Sequence, residues 1–463
     1  MANQYDVVVL GAGPGGYVAA IRASQLGLKA AIIEKEYWGG VCLNIGCIPS
    51  KSLLKNAEVA HTLQHKGKEF GFSFDNLSLD YGVAFKRSRQ VSGRLVKGIG
   101  FLMKKNKIDV FEGTGKLTGR ESIQVSLNDG GETTLTARNI ILATGARPRP
   151  LPGIEFDGDR IISYKEAILA EELPESLVII GGGVIGVEFA YMWANYGVDV
   201  TIVEMMPHLL PNEEPEVSQV LEKAYKKLGV TLHLETAVEK VETTDNGVKV
   251  HLPDGSALEA DKVMLAINFM PNVENIGLDA AGVKLTERGN IEIDGMMRTS
   301  VNNIYAIGDV ATDHRLAHVA SAMGMIAAEA IAGEETDPLD FLMMPRATYC
   351  VPQVASFGYT EAKAKEAGYD INVGQFNFMA NGKALGLGEK DGFVKIISDA
   401  KYGEILGAHM VGPDVTELLP ELTLAHNQEL TAQEIAHNVH AHPTLSEVLM
   451  EAAHNVEGQA IHG

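Results

Sequence analysis

Residues 39–51 read Gly-Gly-Val-Cys-Leu-Asn-Ile-Gly-Cys-Ile-Pro-Ser-Lys and place Cys42 and Cys47, two of the three cysteines, with four residues between them. In an ideal helix their Cα atoms would be roughly 8 to 9 Å apart, whereas a disulfide tolerates about 7 Å. Gly46 permits a distorted turn and Pro49 removes a helical amide, so the segment predicts a reducible, functional disulfide. The alternatives are buried structural thiols or half of a zinc site, although the sequence offers no second cysteine pair.

A dinucleotide-binding pattern precedes the cysteines. Its parts are, in chain order, a strand at residues 5–10, the glycines Gly11, Gly13 and Gly16, a helix to residue 26, a strand at residues 30–33, and Glu34. The first glycine allows a tight turn, the second lets the backbone approach a pyrophosphate, and the third allows close helix packing. The helix N-terminus attracts the anion, and Glu34 is expected to accept ribose hydroxyls.

The same pattern occurs a second time. It comprises a strand at residues 176–180, the glycines Gly181, Gly183 and Gly186, a helix to residue 196, a strand at residues 200–203, and Glu204. In both copies the acidic residue follows the first glycine by 23 residues. Two fingerprints predict two dinucleotides. Because the cysteines directly follow the first copy, we expect the electron-exchanging flavin there and a nicotinamide in the second.

The residues around Glu204 favour NAD over NADP. A carboxylate can bond a ribose 2′-hydroxyl but repels a 2′-phosphate. Met205, Met206 and Pro207 follow it where arginines would serve a phosphate.

Composition limits the classes of function. A chain of 463 residues with 46% hydrophobic residues is long and apolar enough for three or four globular α/β domains. The net charge of −21 argues against nucleic-acid binding, and no long apolar span predicts a membrane segment. Three cysteines fit a reducing compartment, and the start of the chain carries no basic leader, so we expect a cytoplasmic protein.

Two shorter apolar segments end in polar turns. Residues 140–145 read Ile-Ile-Leu-Ala-Thr-Gly, and residues 303–310 read Asn-Ile-Tyr-Ala-Ile-Gly-Asp-Val. Asp309 could hold a second part of the flavin dinucleotide, although an ordinary turn aspartate explains it equally well. The proline-rich residues 147–152 are a sensible first domain boundary.

The last 120 residues or so alternate strand-like segments, such as residues 392–397, with a helical stretch near residues 415–426. His442 precedes a proline, which predicts a loop just before a helix. Thr444 and Glu447 fit a helix capping box; alternatively, Glu447 orients His442 as a base towards a thiol. Other histidines lack a ligand framework, so we expect no metal site at His437, His440, His454 and His462.

Together these motifs resemble the pyridine nucleotide–disulfide oxidoreductases across essentially the whole chain. The resemblance is carried by residues 39–51, Gly-Val-Ile-Gly-Val-Glu188, Tyr-Ala-Ile-Gly-Asp309, Leu316-Ala-His318 and His440-Ala-His442-Pro-Thr-Leu-Ser-Glu447. It implies an α/β homodimer with two Rossmann-like domains. The implied domains are FAD-binding (1–148), NAD-binding (149–272), central and completing the FAD site (273–344), and α+β interface or dimerisation (345–463).

The match is closest to the branch of the family that oxidises dihydrolipoyl groups. The implied substrate is carried on an acyltransferase of a 2-oxoacid dehydrogenase complex or on a glycine-cleavage carrier protein. Electrons would pass through the disulfide and a tight, non-covalent FAD to NAD+. The resemblance makes Cys42 the sulfur that the substrate attacks and Cys47 the one facing the flavin. It also makes His442 and Glu447 serve the cysteines of the other subunit, which favours the dyad over the capping box.

Further site residues rest on the resemblance alone. Lys51 and Glu188 match a charged pair beside the flavin ring, and Val238 matches a contact of the NAD adenine. Segments expected to contact the flavin dinucleotide contribute Gly115, Ala143, Thr144, Gly145, Asp309, Leu316, Ala317 and His318. One departure concerns residues 268–271, which read Asn-Phe-Met-Pro where the family has Gly-Arg-x-Pro. A glycine there can approach NAD with bare backbone, whereas Asn268 tolerates the left-handed conformation but adds a side chain near NAD.

Other functions are compatible with some of these motifs. Glutathione-type disulfide reductases and mercuric reductases share the cysteine spacing and the histidine, but they normally use NADPH. Mercury chemistry also uses an additional C-terminal cysteine pair, and the only other cysteine, Cys350, is expected to be a small core residue. A flavin-bearing binding subunit without turnover is less favoured, because both predicted pairs, Cys42 with Cys47 and His442 with Glu447, are present.

Overall fold

A computed structural model of the chain describes residues 3–462 and has mixed α/β architecture. The strands are β1 Asn3–Leu10, β2 Ala30–Glu34, β3 Asp109–Leu117, β4 Ser122–Leu127, β5 Glu132–Leu142, β6 Ala146–Pro148, β7 Ile161–Ile162, β8 Ser176–Ile180, β9 Asp199–Val203, β10 Thr231–His233, β11 Lys240–Thr244, β12 Gly247–His251, β13 Ala257–Ala260, β14 Lys262–Leu265, β15 Phe269–Pro271, β16 Ile304–Ala306, β17 Arg346–Thr348, β18 Gln353–Gly358, β19 Ile371–Asn377, β20 Phe393–Asp399 and β21 Ile405–Gly412.

The α-helices are α1 Pro14–Gln25, α2 Gly40–Ile45, α3 Cys47–His61, α4 Tyr81–Lys105, α5 Tyr164–Leu169, α6 Val184–Ala194, α7 Pro215–Leu228, α8 Leu278–Ala281, α9 Ala317–Ala332, α10 Glu361–Glu366, α11 Gly382–Leu387, α12 Val415–Asn427, α13 Ala432–His437 and α14 Glu447–Val456. In the part of the chain that the structure describes, no helix combines the length and the apolar character needed to cross a membrane.

The first compact unit contains residues 3–52, 82–149 and 268–339. Its sheet places β1 between β2 and β5 in parallel register, with β3 and β16 beyond them; β4 pairs antiparallel with β3 and β5. Val7, Val8 and Val9 of β1 are all fully buried. A continuous apolar strand of this kind is typical of a parallel sheet covered on both faces. Helices α1 and α9 pack side by side in this unit.

The second compact unit contains residues 53–81, 150–267 and 340–462 among those described. One of its sheets is wholly parallel, in the order β10-β9-β8-β14-β7, and a three-stranded antiparallel sheet shares its apolar core. Another is antiparallel, in the order β17-β18-β21-β20-β19, and packs against α12 to α14. Strands β20 and β21 are buried along their whole length. These sheets confirm the predicted α/β class with an α+β C-terminal region.

A buried charged cluster in the second unit joins the segment before α7 to the antiparallel sheet. His409 is 0% exposed; its Nδ1 lies 3.2 Å from Oε2 of Glu213 and its Nε2 lies 3.0 Å from the carbonyl oxygen of Tyr359. Arg346 Nε lies 3.3 Å from the other oxygen of Glu213. Burial alone would raise the pKa of Glu213, but the hydrogen bond and charge of His409, with the charge of Arg346, lower the pKa to about 2.

We expect Glu213→Gln to destabilise the protein in a pH-dependent way. A carboxyl whose folded-state pKa lies below its ordinary value stabilises the fold above that value, and the contribution disappears as pH falls through the folded pKa. From the ordinary 4.5 to about 2, this contribution is on the order of 3 kcal/mol at pH 7. Urea unfolding at pH 7 and pH 3 should show a large deficit for the variant at pH 7 and a smaller one at pH 3.

The matched control is Glu242→Gln. Glu242 also pairs with a histidine, His251, at 3.1 Å, but its side chain is exposed. Exposed ion pairs contribute little to stability, so this variant should unfold like the parent. Equal deficits for Glu213→Gln at both pH values would contradict the electrostatic account.

Candidate active site

The first glycine fingerprint adopts the geometry that its sequence predicts. Gly11 has a φ of 107° at the end of β1, and a Cβ atom there would lie 2.2 Å from the carbonyl oxygen of Ala143. A Cβ on Gly16 would lie 1.9 Å from the carbonyl oxygen of Gly11, so only glycine permits this approach of helix and strand. Glu34 accepts hydrogen bonds from the amides of Ala12 at 2.8 Å and Glu36 at 2.8 Å.

The second fingerprint repeats this arrangement in the other compact unit. Gly181 has a φ of 113°, and a Cβ on Gly186 would lie 2.0 Å from the carbonyl oxygen of Gly181. Glu204, 7% exposed, accepts hydrogen bonds from the amides of Gly182 at 2.6 Å and Met206 at 2.8 Å. In both copies, therefore, the acidic side chain also fixes the glycine turn. The sequence pattern predicted only a ribose contact for this residue.

Both helix N-termini fit a pyrophosphate. Gly13 and Gly183 are the N-caps of α1 and α6, in extended conformation, and neither helix has an acidic residue in its first turn. A Cβ on Gly183 would have no neighbouring atom within 4 Å, and one on Gly13 would meet only Gly40 Cα at 3.9 Å. The space beside both N-caps is therefore open to an anion, and the helix dipoles favour negative charge there.

The cysteine pair lies at a break between two helices. Helix α2 ends at Ile45, Gly46 has the non-helical angles φ −136° and ψ −117°, and α3 begins at Cys47. Both cysteines are thiols in this structure, and the break brings them into hydrogen-bond contact. The predicted distorted turn at Gly46 is thus present.

Electrostatics distinguish the two thiols. The hydrogen bond to Cys47, then burial, raise the pKa of the Cys42 thiol, and the charge of Lys51 on α3 opposes this effect. Ionisation of the Cys42 thiol is therefore disfavoured in the reduced pair.

Segments predicted to contact the flavin dinucleotide lie in the same compact unit as the cysteines. Gly115 is buried in β3, and the turn after β5 is fixed by Thr144, whose hydroxyl donates to the carbonyl of Asn272 at 2.8 Å. Burial raises the pKa of the Asp309 carboxyl to about 6, although the positive charge of Arg315 acts to lower this pKa. The remaining segment residues lie at the turn after β5 and the start of α9: Ala143, Gly145, Leu316, Ala317 and His318.

Asn268 makes side-chain contacts and does not use the left-handed conformation that asparagine tolerates. Residues with positive φ occur elsewhere in the described chain, but Asn268 is not among them. Its side-chain oxygen instead accepts hydrogen bonds from the Phe269 amide at 2.7 Å and from Arg315 Nη1 at 3.0 Å. The guanidinium of Arg315 lies 5.6 Å from the centre of the Phe269 ring. Nothing in the local sequence of Arg315 links it to residue 268, so this contact was not predicted from the sequence.

Two further predicted residues lie in the second unit. Glu188 is buried on α6 and accepts a hydrogen bond from the Tyr349 amide at 3.0 Å. Val238 is half-buried and packs at the edge of the apolar core beneath the parallel sheet. Their roles towards cofactors stay predictions.

His442 and Glu447 form a pair at the start of α14. His442 is 78% exposed, and its Nδ1 lies 2.9 Å from Oε1 of Glu447. Burial would raise the pKa of Glu447, but hydrogen bonds from the Thr444 amide and from His442 lower it overall. In the tautomer whose Nδ1–H donates to the carboxylate, Nε2 carries the lone pair; a base role for His442 stays a prediction.

The capping-box alternative forms only in part. Glu447 accepts from the amide of Thr444, but the Thr444 hydroxyl donates to the Ala441 carbonyl oxygen at 2.7 Å. Helix α14 begins at Glu447 itself, with Ser446 as the N-cap. The predicted loop at His442 is confirmed.

One acidic cluster in residues 3–462 has metal-ligand spacing: Glu214, Glu216 and Glu361. The ammonium group of Lys395, whose side chain is 2% exposed, lies among them and bonds Glu361 at 2.7 Å. A lysine therefore provides the positive charge in this cluster.

Comparison with known proteins decides the family. Residues 5–324 match the profile of the pyridine nucleotide-disulphide oxidoreductases. The chain belongs to this family. Residues 344–453 match the dimerisation domain of the pyridine nucleotide-disulphide oxidoreductases, which corresponds to the antiparallel sheet and helices of the second unit.

Curated relatives within the pyridine nucleotide-disulphide oxidoreductases match over the full length. The chain is 55% identical over 463 residues to a dihydrolipoyl dehydrogenase of Mycobacterium tuberculosis, covering 99% of both chains. It is 54% identical over 474 residues to that of Corynebacterium glutamicum, covering 100% of both.

Solved structures of lower identity share the fold. LpdA from Mycobacterium tuberculosis superposes with a TM-score of 0.91 at 27% identity, covering 98% of this chain and 100% of that one. The HOCl-induced flavoprotein disulfide reductase RclA from Escherichia coli gives 0.85 at 28% identity, covering 96% and 98%.

Proposed function

We propose that this chain is a dihydrolipoyl dehydrogenase, which oxidises protein-bound dihydrolipoyl groups and reduces NAD+. The observation that carries the proposal is the thiol pair at the α2–α3 break, in the same compact unit as the first dinucleotide fingerprint. The full-length similarity to dihydrolipoyl dehydrogenases supports the substrate. The partner of the enzyme would be a lipoyl-bearing acyltransferase or a glycine-cleavage carrier protein. The dimerisation region supports a homodimer.

The first fingerprint fits FAD and the second fits NAD. Gly13 and Glu34 would hold the FAD pyrophosphate and ribose, and Asp309 its other half. When bound, the flavin supplies a two-electron path between the reduced cysteine pair and nicotinamide. The chain's own groups supply the proton transfers and the sulfur chemistry.

Proton removal from the substrate falls to His442. Its side chain is exposed, and the tautomer whose Nδ1–H donates to Glu447 leaves Nε2 able to accept a proton. The carboxylate stabilises the imidazolium that forms when Nε2 takes a proton from a dihydrolipoyl thiol. In the homodimer, the dyad of one subunit would serve the cysteine pair of the other.

Sulfur exchange then proceeds at the oxidised pair, Cys42–Cys47. The substrate thiolate attacks Sγ of Cys42, the bond to Cys47 breaks, and Cys47 leaves as a thiolate. The second substrate thiol gives its proton to the Cys47 thiolate and attacks the substrate sulfur of the mixed disulfide, and Cys42 takes the proton held by His442 as it leaves. The lipoyl disulfide is formed, and the protein disulfide has become a dithiol. Transfer of the two electrons of the dithiol to NAD+ would restore the disulfide and release one proton.

The activity test is NAD+ reduction by purified flavoprotein with dihydrolipoamide, alongside NADP+. Rapid turnover with NAD+ supports the proposal. If NADPH instead drove reduction of another disulfide or of Hg(II), the substrate assignment would fall while the family assignment stood.

Glu204→Gln should weaken the preference for NAD+. Glutamine can still accept one backbone hydrogen bond in the turn, but it no longer repels a 2′-phosphate. We expect the ratio of kcat/KM for NAD+ over NADP+ to fall by about tenfold, as one removed charge contact predicts. Asp199→Asn, at the opposite end of β9, is the control and should leave the ratio unchanged. An unchanged ratio in Glu204→Gln would remove Glu204 from cofactor selection.

A further inference from the structure

The loop that carries His442 is attached to a second acidic residue through His440. His440 is 4% exposed at its side chain, whereas Val439 on one side is 93% exposed and His442 is 78% exposed. The ring of His440 therefore turns into the domain while its neighbours turn outward. Its Nε2 lies 2.9 Å from Oε1 of Glu421 on α12.

The hydrogen bonds require a charged ring. His440 Nδ1 lies 2.9 Å from the carbonyl oxygen of Asn438, and a carbonyl oxygen can only accept. The ionised carboxylate of Glu421 also only accepts, so both ring nitrogens carry protons. The side-chain amide of Asn438 reaches the same Glu421 oxygen at 3.4 Å. One carboxylate thus holds two residues of the loop.

We propose that His440 is a positioning residue: as an imidazolium clamped between Glu421 and the Asn438 carbonyl, it fixes the loop that presents His442. The inference rests on the proposed base role of His442. Glu447 holds the other end of the loop through His442 and the Thr444 amide, so the segment between α13 and α14 is attached to two helices. Only the Glu421 attachment depends on the charge of a histidine buried in the domain.

The charge of His440 also acts on the dyad. The groups that share its surroundings are Glu421 on α12, Glu447 at the start of α14, and His442 on its own loop. The positive charge of His440 contributes to lowering the pKa of Glu447. Removing that charge removes this effect on the dyad, and the pH profile of turnover would report the change.

The test compares His440→Ala, His440→Gln and His440→Lys in the full-length flavoprotein. We expect kcat for dihydrolipoamide to fall about tenfold in His440→Ala, as misplacement of a catalytic group predicts. The acidic limb of its pH profile should move to higher pH. His440→Gln, a milder replacement that keeps one donor, should show the same shift with a smaller loss of kcat. His440→Lys keeps the charge opposite Glu421 and should retain the limb at its wild-type position.

Hydrogen exchange of residues 438–446 gives a readout that needs no substrate. The segment should exchange faster in His440→Ala, and not in His462→Ala, whose ring pairs with Glu451 at 2.6 Å elsewhere in the domain. Wild-type exchange together with a wild-type pH profile in His440→Ala would overturn the inference. Absence of dihydrolipoamide turnover in the parent protein would instead overturn the proposed function, and the exchange experiment would still decide the role of His440.

Discussion

Cys47→Ser should lower NAD+ reduction by dihydrolipoamide at least about a thousandfold, while FAD stays bound and the protein remains folded. A serine hydroxyl cannot form or leave from a disulfide, so the substrate dithiol has no acceptor. Losses of this size are typical when an enzyme's nucleophile or its direct partner is removed. The measurement is steady-state turnover together with the flavin absorption spectrum and the ratio of flavin to protein.

The control for this prediction is Cys350→Ala. Cys350 is fully buried, and its sulfur lies 3.3 Å from the carbonyl oxygen of Pro352, remote in sequence from the α2–α3 break. Its replacement should reduce stability through a small cavity and leave turnover within about twofold of the parent. NADH oxidation by a quinone acceptor, which needs no cysteine, should survive in both variants. Normal dihydrolipoamide turnover in Cys47→Ser would exclude the disulfide mechanism.

Local pattern was sufficient to predict the nucleotide-binding architecture. A Cβ on Gly16 would overlap the carbonyl oxygen of Gly11, and one on Gly186 would overlap that of Gly181. Such constraints act over a few residues, so the sequence spacing reveals them directly. The apolar strands that flank each turn then determine the parallel sheets.

Contacts between distant segments could not be predicted in this way. Arg315 bonds Asn268, and Glu421 bonds His440, but neither pair has a spacing that a helix or strand repeat would explain.

The predicted capping box shows that one local spacing can fit two different structures. Thr444 and Glu447 have the same spacing whether the glutamate caps a helix or orients a histidine. Only the helix start at Glu447 and the direction of the Thr444 hydroxyl distinguish the two.

His442→Gln should lower kcat for dihydrolipoamide by about a hundredfold to ten-thousandfold, the usual contribution of a general base. Glutamine cannot take a proton from the substrate, and the amide that replaces Nδ1 can still donate to Glu447, so the loop should remain ordered. Bound FAD and flavin reduction by NADH should be unchanged, because neither step uses this base. The expected loss is therefore confined to the steps that begin at the substrate thiol.

The pH dependence of the variant gives the sharper test. As pH rises towards the pKa of the substrate thiols, solvent removes the proton that His442 would have taken. The activity of His442→Gln should therefore climb steadily between about pH 7 and pH 9 and approach the parent enzyme, since free thiols titrate near pH 8.5. Glu447→Gln should show a smaller loss, because the histidine remains but its tautomer is no longer fixed. A deficit in His442→Gln that stays constant across this range would point to a role in substrate binding instead of proton transfer.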